Sequence, residues 1–415
     1  MVWPRKMLSE VCEIRPAKNQ ARQKLSDSDH VSFVPMSDLP IREKRLNLAE
    51  ERPLGKVYGG YTYFAEGDVL LAKITPCFEN GKLGIARGLT NSIGFGSSEF
   101  FVLRPAASMH PEFLFYFLCQ DSVRDAGKKV MSGAVGHKRV PKEFIQALSV
   151  PLPSIEEQKR IVAILDEAFA GIETAIANTE KNLANTDNVF ASYLDTVFDP
   201  RHEGWAEKML EEICAFSSGG TPSKRNSRYW GGEIPWISGR DMKRMQLSNS
   251  LLHVSKSAIE ESATRIAPAG SLLVLVRGMG LAHGAQIAEL MVPCAFNQDI
   301  KAIHPDEGVV PRYLAFALRY MINRSDDVLS NAAHGTLKID MAGLKRVVVP
   351  IPPYEQQAKI VSGLNALIDE INYLRTIYQK KLADLVELKQ SLLERAFSGE
   401  LRPERADREL ASVGS

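Results

Sequence analysis

Apolar residues recur at helical spacing in two long segments of the chain. Residues 154–198 and 354–397 contain no proline, and each segment holds a single glycine. In the second segment the apolar positions step by four and three residues from Ile360 to Leu392, which is the heptad pattern of a coiled coil. A helix of about 45 residues is roughly 65 Å long. The pattern therefore predicts two long helices, each with an apolar seam.

The two seams are interrupted but remain recognisable. Thr179 and Thr186 interrupt the first seam, and Lys381 interrupts the second. Ser154 and Glu157 form an S-x-x-E capping box at the start of the first helix. Because an isolated helix with an exposed apolar seam is unstable in water, we expect the two helices to pair as an antiparallel coiled coil. The residues predicted to pack between the helices are Leu165, Ile172, Ile176, Leu183, Leu364, Ile371, Leu374 and Leu385.

The starts of these helices belong to an internal repeat. The sequence PLPSIEEQKRIV at 151–162 returns as PIPPYEQQAKIV at 350–361, which is 199 residues later. The sequence HPEFLFYFL at 110–118 likewise returns as VPRYLAFAL at 310–318. Matches at an almost constant offset indicate one duplicated module rather than a solenoid of many short repeats.

The part of each module that precedes its long helix, which we call a head, has short mixed segments. The apolar runs at 68–74 and 271–277 follow or lie close to a glycine and are typical of buried strands. The runs at 99–105 and 299–305 are predicted strands that end at a proline. The predicted fold class is α+β, with two pseudo-repeated α/β heads separated by the two long helices. Short helices are predicted at 111–118 and 311–318.

These patterns divide the chain into five parts. They are a first head (1–153), a first spacer helix (154–198), a second head (199–352), a second spacer helix (353–399) and a flexible tail (400–415). An antiparallel helix pair with one head at each end would hold two similar heads at a fixed separation, as dimeric DNA readers do. A repeat scaffold that binds proteins is an equally acceptable interpretation of this architecture.

Composition restricts the class of protein. The chain has 415 residues, of which 45% are hydrophobic and 24% are charged, and this is typical of globular proteins. No segment approaches the roughly 18 apolar residues of a membrane span, and the N-terminus does not have the pattern of a signal peptide, so we expect a cytoplasmic protein. The five cysteines form no C-x-x-C pair. Since the net charge is only +1, any surface that binds nucleic acid must be basic locally.

Both heads contain such basic runs. Residues 126–142 hold five lysines and arginines and no acid, and residues 14–24 and 219–230 are also free of acids. The run at 331–346 repeats the pairing of histidine with glycine that is found at Gly136 and His137. Basic residues among glycine, serine and threonine suit contact with a DNA backbone and its bases. A solvated basic face is the alternative for each run alone.

Single polar residues at predicted strand ends are further candidates for base contacts. Lys73 and Arg277 could reach a guanine edge, although a charge at a strand end can equally be solvated. Asn297 and Gln298 suit adenine, and Ser97 and Ser98 occupy the corresponding place in the first head. No phosphate-binding loop, amino-methylation motif or metal-ligand spacing is present, so the sequence gives no sign of catalysis.

Several of these motifs together resemble the specificity subunit of type I restriction-modification systems. The strongest are PLPSIEEQKRIVAIL and PIPPYEQQAKIVSGL at the two helix starts, followed by SGGTPSKRNSRYWGGEIPWISGRDM at 218–242. LAKITPCFENGKLGIA and GFGSSEFFVLRP are similar to a second subtype of recognition domain. The resemblance covers nearly the whole chain. In the first head, Arg15-Pro16-Ala17-Lys18 stands where the second head has Gly-Gly-Thr-Pro-Ser.

The resemblance implies a non-catalytic subunit that binds double-stranded DNA. Each head would be a target recognition domain that reads one half of a split site. The helices would act as a spacer and dock two methyltransferase subunits, and motor-nuclease subunits can join. S-adenosylmethionine, ATP and magnesium would belong to those partners, so no cofactor is expected in this chain and no membrane is involved.

The resemblance also assigns DNA contacts to the polar loops of both heads. In the first head the residues are Lys73, Lys82, Ser97, Ser98, His137, Lys138 and Arg139. In the second head they are Thr221, Ser223, Lys224, Arg277, Gln298, His334, Thr336 and Lys338. The alternatives are a specificity subunit that serves a stand-alone methyltransferase, a protein-binding scaffold, and an enzyme whose motif is not evident.

Overall fold

The computed structural model describes residues 3–134, 136–198, 204–325, 328–331 and 337–401. The chain divides into two compact units. Unit 1 comprises Met1–Asn182 and Ile377–Ser415, and unit 2 comprises Leu183–Thr376. Each unit therefore contains one head together with parts of both long helices.

The long helices extend over Ile155–Val197 and Tyr354–Ser398. In unit 1, Lys389 Nζ donates to Glu173 Oε1 at 3.0 Å and so joins the two helices. In unit 2, Arg375 pairs with Asp187, and the backbone at Gly363 lies against the Tyr193 hydroxyl. From the first contact to the second, the residue number rises along the first helix and falls along the second helix. The two helices therefore pair antiparallel in unit 2.

The two threonines that interrupt the first apolar seam are buried. Thr179 and Thr186 are 3% and 5% exposed. Each hydroxyl donates to a carbonyl of its own helix at 2.6 Å, from Thr179 to Ala175 and from Thr186 to Leu183, so threonine enters the seam without an unpaired hydroxyl. Lys381 is exposed.

The residues predicted to pack between the helices differ in burial. Five are buried, and three are only partly buried. The buried residues are Leu165, Ile172, Leu364, Ile371 and Leu385. The partly buried residues are Ile176, Leu183 and Leu374.

The predicted capping box forms only in part. The Ser154 hydroxyl accepts a hydrogen bond from the Glu157 amide at 3.3 Å. The Glu157 side chain, however, accepts two hydrogen bonds from Arg160, at 2.6 and 2.7 Å. The bidentate pair with Arg160 takes the place of the single bond from the Ser154 N–H that a capping box would have made.

The head of unit 1 contains two four-stranded sheets and a short strand pair. In spatial order the first sheet is Cys12–Ile14, Phe100–Pro105, Val69–Ala72 and Leu83–Ile85, and the second is Glu50–Pro53, His30–Val34, Ile93–Gly96 and Thr62–Ala65. The strand pair is Arg5–Met7 with Ser149–Pro151. The helices are Leu8–Val11, Asn19–Arg22, Leu54–Val57, Pro111–Cys119, Asp121–Val130 and Lys142–Ala147, with 3-10 turns at Met36–Asp38 and Thr90–Ser92.

The head of unit 2 repeats this topology, with a fifth strand in its first sheet and one additional strand pair. Its first sheet is Cys214–Ser218, Ile300–Pro305, Leu272–Leu275, Ile287–Leu290 and Gln246–Leu247, and its second is Leu252–Val254, Trp230–Ile237, Cys294–Phe296 and Ile266–Ala267. Two strand pairs join Ala206–Met209 to Val348–Ile351 and Leu329–Asn331 to Leu337–Ile339. The helices are Leu210–Ile213, Lys256–Glu261, Pro311–Ile322 and Met341–Lys345, with 3-10 turns at Ser227–Tyr229 and Met279–His283. In both second sheets the two central strands are parallel, and their other pairings are antiparallel.

One buried glutamine connects the head to the helix start in each unit. In unit 1 the Gln158 amide accepts from the His110 N–H and donates to the carbonyls of Ser108 and Pro153, at 2.8, 2.9 and 3.0 Å. In unit 2 the Gln357 amide makes the matching bonds with Val310, Gly308 and Pro352, at 2.8, 3.1 and 2.9 Å. The repeated sequence at the two helix starts thus encodes a repeated junction.

The predicted tail falls mostly outside the described residues. Leu401, near its start, is 4% exposed and belongs to the apolar core of unit 1. Residues 402–415 are not among the described residues.

Candidate nucleic-acid interface

Three separate segments of unit 1 meet where strand Val69–Ala72 ends. The Lys73 N–H donates to the Glu99 carbonyl, and the Val140 N–H donates to the Lys73 carbonyl, both at 2.9 Å. The Thr75 N–H donates to the Lys138 carbonyl at 2.9 Å. These backbone bonds bring the loop at 97–99 and the basic run at 137–140 to the same end of the first sheet.

Charged side chains gather at this junction. Arg139 donates from Nε and Nη2 to the two carboxylate oxygens of Glu99, at 2.9 and 2.8 Å. Lys73 Nζ donates to the Ser98 carbonyl at 2.8 Å and lies 4.0 Å from the Glu99 carboxylate. A cavity of about 230 Å³ beside them is also lined by Arg15 and Lys142. We call Arg15, Lys73, Glu99, Arg139 and Lys142 the unit 1 cluster.

The electrostatics of the cluster follow from this crowding of cations. Burial lowers the pKa of Lys73, an effect that Glu99 opposes and the charges of Arg15 and Arg139 increase. The hydrogen bonds from Arg139 lower the pKa of Glu99. Arg15 has a φ of 64°, a conformation that non-glycine residues adopt rarely and that is found disproportionately at binding sites. The cluster holds four cations and one acid and can attract an anion.

The other residues predicted in unit 1 lie around the cluster in different roles. Ser98 is exposed, whereas the partly buried Ser97 hydroxyl accepts from the Glu99 N–H at 3.2 Å. His137 and Lys138 are exposed, and the His137 carbonyl accepts from Arg139 Nη1 at 3.1 Å. The basic run therefore presents side chains to solvent on one side and anchors Arg139 through its backbone.

Lys82 is not part of the cluster. Its ammonium group donates to three backbone carbonyls, of Met36, Ser37 and Leu39, at 2.7, 3.2 and 2.9 Å. An ammonium group has three N–H donors, so all of them are used inside the unit. Lys82 is therefore not part of the candidate interface. The sequence alone could not reveal that this lysine turns inward.

Replacing Lys82 by methionine should therefore destabilise unit 1 by about 2–3 kcal/mol, because hydrogen bonds to a charged group are lost and their acceptors remain. The change is measured by urea unfolding. The matched control is Lys138→Met, which removes an exposed lysine whose side chain has no partner among the described contacts, and which should leave stability within about 0.5 kcal/mol. Equal effects of the two substitutions would show that the Lys82 contacts are not stabilising.

In unit 2, two glycines hold the segment that follows strand Cys214–Ser218 close to neighbouring backbone. A Cβ atom at Gly219 would lie 2.2 Å from the Phe296 carbonyl oxygen, and one at Gly220 would lie 2.5 Å from that of Ala263, so only glycine fits at both positions. The Gly220 carbonyl also accepts from Trp236 Nε1 at 3.1 Å. This anchoring fixes the polar residues that follow.

Those residues form a polar edge. The Thr221 hydroxyl contacts Gln298 Oε1 at 2.6 Å, and Gln298 is exposed. Ser223 and Lys224 are also exposed, and the Ser223 carbonyl accepts from Trp230 Nε1 at 3.2 Å. The structure thus brings together Thr221 and Gln298, which are 77 residues apart.

Arg277 and Lys338 lie directly opposite each other in an antiparallel bridge. Both are exposed, and neither side chain has an acidic partner among the described residues of unit 2. Like charges at facing positions repel each other unless an anion lies between them. We call these residues the unit 2 pair. His334 and Thr336, the other two residues predicted in this region, lie outside the described residues.

Lys73 and Arg277 do not occupy equivalent positions. Ala72 pairs with Phe100, and Leu275 pairs with Ile300, so the residue equivalent to Lys73 is Val276. Arg277 corresponds to Ile74, one residue further along. Since successive residues of a strand point to opposite faces, the two cations approach the junction from different sides.

The candidate residue that sequence reasoning missed is Glu99, whereas Arg15 belongs to the basic run that was noted at 14–24. Glu99 follows Ser97 and Ser98 directly, but an acid in a predicted DNA-binding loop gave no signal by itself. The role of Glu99 depends on its pairing with Arg139, which is 40 residues away in the sequence.

Other kinds of site receive no support. Within the described residues, no group of three or more His, Cys, Asp or Glu side chains could hold a metal ion. No helix in the described part of the chain is long and apolar enough to cross a membrane.

Comparison with protein families gives a match over most of the chain. The family model described as "Type I restriction modification DNA specificity domain" matches residues 2–183 and 202–380. Two relatives from Escherichia coli are the specificity subunits of the type I restriction enzymes EcoEI and EcoR124I/EcoR124II. The first is 37% identical over 52% of this chain and 35% of the relative, and the second is 30% identical over 62% and 64%. The matches thus span about one third and two thirds of the lengths of these relatives.

Two solved structures share the fold. One, described as the structural basis of complex assembly and conformational transition of the type I R-M system, has a TM-score of 0.76 and 22% identity and covers 96% of this chain and 98% of its own. The other, the HsdS subunit from Thermoanaerobacter tengcongensis, has a TM-score of 0.68 and 21% identity and covers 96% and 97%. At these identities the likeness concerns the fold.

Proposed function

The chain belongs to the family of type I restriction-modification DNA specificity domains, and we propose that it is the subunit that selects the DNA sequence in such a system. Each head would read one half of a bipartite site in double-stranded DNA. The two long helices would set the spacing between the halves.

The observation that carries this proposal is the set of cations, all exposed except the partly buried Lys73, at the equivalent strand-end junction of both heads. Unit 1 has Lys73 and Arg139 there, and unit 2 has Arg277 and Lys338. Cations that face one another without enough acids to neutralise them are suited to a polyanion. Polar side chains beside them, such as Gln298, can distinguish base edges.

The differences between the heads favour two different half-sites. The unit 1 cluster combines cations with a carboxylate, whereas the polar edge of unit 2 includes an amide and a hydroxyl. A guanidinium group suits guanine and an amide suits adenine. A bipartite and asymmetric recognition sequence follows from this difference.

The long helices are the proposed docking surface for two methyltransferase subunits. Tyr373 in unit 2 and Val386 in unit 1 are exposed apolar side chains of the second long helix, at 63% and 59%. In unit 2, Val189, Tyr193 and Leu367 line an open groove along the helices. S-adenosylmethionine, ATP and magnesium would be bound by the methyltransferase and motor-nuclease partners, and this chain would itself be non-catalytic and act in the cytoplasm.

The test is selection of sequences from random DNA duplexes by the full-length chain, alone and with a methyltransferase subunit from its host. We expect enrichment of two short blocks at a fixed separation, bound at least about 10³-fold more tightly than other DNA. Exchange of residues 1–153, the proposed first recognition domain, for the head of another family member should change one block and leave the other block unchanged.

Two results would contradict the proposal. If the chain enriched no sequence in either form, it would not be a specificity subunit. If the exchange altered both blocks, the heads would not read independently. The control is exchange of residues 199–352, which should alter only the other block.

A further inference from the structure

Glu99 and the Ser98 carbonyl next to it hold the two neighbouring cations of the unit 1 cluster in place. Arg139 has five N–H donors, of which two are used by the Glu99 carboxylate and one by the His137 carbonyl. Lys73 uses one of its three donors on the Ser98 carbonyl. Both cations therefore keep two donors for a ligand while their orientation is held by the protein.

This arrangement differs from the usual surface lysine or arginine. Such side chains are flexible, and the entropy lost when they are ordered weakens any geometrically exact contact. A flexible cation follows the nearest phosphate regardless of sequence. In the unit 1 cluster the bidentate pair with Glu99 orients Arg139 before any ligand arrives, so the guanidinium group can discriminate between base edges.

The cluster also presents donors and acceptors side by side. A G·C base pair shows two acceptors on guanine and one amino donor on cytosine in the major groove. Two oxygens of Glu99 accept from Arg139 and have remaining lone pairs, so a carboxylate acceptor stands next to guanidinium donors. The pattern of the protein is complementary to that of the base pair.

We propose that Glu99 is a specificity-determining residue of unit 1, and that Glu99 and Arg139 together read one G·C base pair. This inference rests on the function proposed above. Arg139 contacts guanine. Glu99 orients Arg139, accepts a hydrogen bond from the cytosine amino group and reduces the sequence-independent binding of Arg139 to phosphates.

Unit 2 does not repeat the device. Asp299 is equivalent to Glu99, since its carbonyl accepts from Val276 as that of Glu99 accepts from Lys73. Lys338 stands in the place of Arg139 and cannot form a bidentate pair. The Asp299 carboxylate instead contacts the amide of Asn297 at 3.4 Å. The proposed G·C readout therefore belongs to one half-site only.

The test compares Glu99→Gln with the unaltered full-length chain in selection from random duplexes. Glutamine keeps the size of the side chain but removes the charge. The NH2 of its amide cannot accept a hydrogen bond from Arg139. At one G·C position of one block, discrimination should fall by about 5- to 150-fold, and the other block should be unchanged. The logarithmic salt dependence of binding should steepen by about 0.9, because one more cation becomes available to phosphate.

The control is Glu43→Gln, which removes an exposed acid of unit 1 whose side chain has no partner among the described contacts. It should leave both blocks as they are. Glu99→Asp restores the charge one methylene further back and should recover part of the discrimination. If Glu99→Gln fails to fold by its thermal unfolding curve, Arg139→Lys serves in its place, since it keeps the charge and removes the fork.

The outcomes separate this inference from the proposed function. Enrichment of no sequence by the unaltered chain would contradict the proposed function itself. A bipartite site for the unaltered chain, with the same base preference at every position after Glu99→Gln or Arg139→Lys, would overturn the role of Glu99 alone.

Discussion

Replacement of Asp68 by alanine should lower the free energy of unfolding of unit 1 by about 3–5 kcal/mol, because it leaves a charge without its buried partner. Asp68 is 1% exposed and accepts from Arg104 Nε and Nη2, at 2.7 and 2.8 Å. It also accepts from the Ala65 N–H at 2.8 Å. Hydrogen exchange of strand Val69–Ala72, which follows Asp68, reports the stability of this unit separately from that of unit 2.

The chain supplies its own controls for this prediction. Asp125→Ala breaks an exposed pair with Lys128 and should change stability by less than about 1 kcal/mol. Unit 2 has Ser271 and His304 at the positions of Asp68 and Arg104, joined by a contact of 2.9 Å. The double substitution Asp68→Ser with Arg104→His should therefore cost less than Asp68→Ala. An effect of Asp68→Ala no larger than that of Asp125→Ala would contradict the prediction.

Replacement of Gln357 by alanine should lower the free energy of unfolding of unit 2 by about 3–5 kcal/mol. The side chain is 1% exposed and satisfies one N–H and two carbonyls of the backbone. Each group left unpaired costs about 1–3 kcal/mol, and the effects are not fully additive. Calorimetric unfolding combined with hydrogen exchange of helix Pro311–Ile322 measures the loss.

The neighbouring residue is a matched control for this substitution. Gln356 is exposed, so Gln356→Ala should change stability by less than about 0.5 kcal/mol. Gln158→Ala should produce the corresponding loss in unit 1 and leave the exchange rates of unit 2 unchanged. If Gln357→Ala and Gln356→Ala behaved alike, the buried amide would not be the connection between head and helix that its contacts indicate.

Much of the architecture could be predicted because it is encoded locally. Heptad spacing predicted helices at 154–198 and 353–399, and they occupy Ile155–Val197 and Tyr354–Ser398. The strand predicted at 99–105 occupies Phe100–Pro105, and its counterpart at 299–305 occupies Ile300–Pro305. Apolar periodicity and proline act over a few residues, so a single sequence is enough to detect them.

The candidate interface was less predictable. The family resemblance assigned DNA contacts to both Lys73 and Lys82, yet Lys73 joins the unit 1 cluster and Lys82 binds three carbonyls within the unit. It also treated Lys73 and Arg277 as comparable, whereas strand pairing places them one residue apart. The direction of a side chain depends on the register of its strand, and a shift of one residue reverses it.

The sequence by itself determined that this protein has two related heads and two long helices with apolar seams, because duplication and periodicity are visible along the chain. Only the tertiary structure decided that Glu99 meets Arg139, that Thr221 meets Gln298, and that Arg277 faces Lys338. Each pair joins residues at least 40 positions apart. Such contacts depend on the order and register of strands in a sheet, which the residues near either partner do not specify.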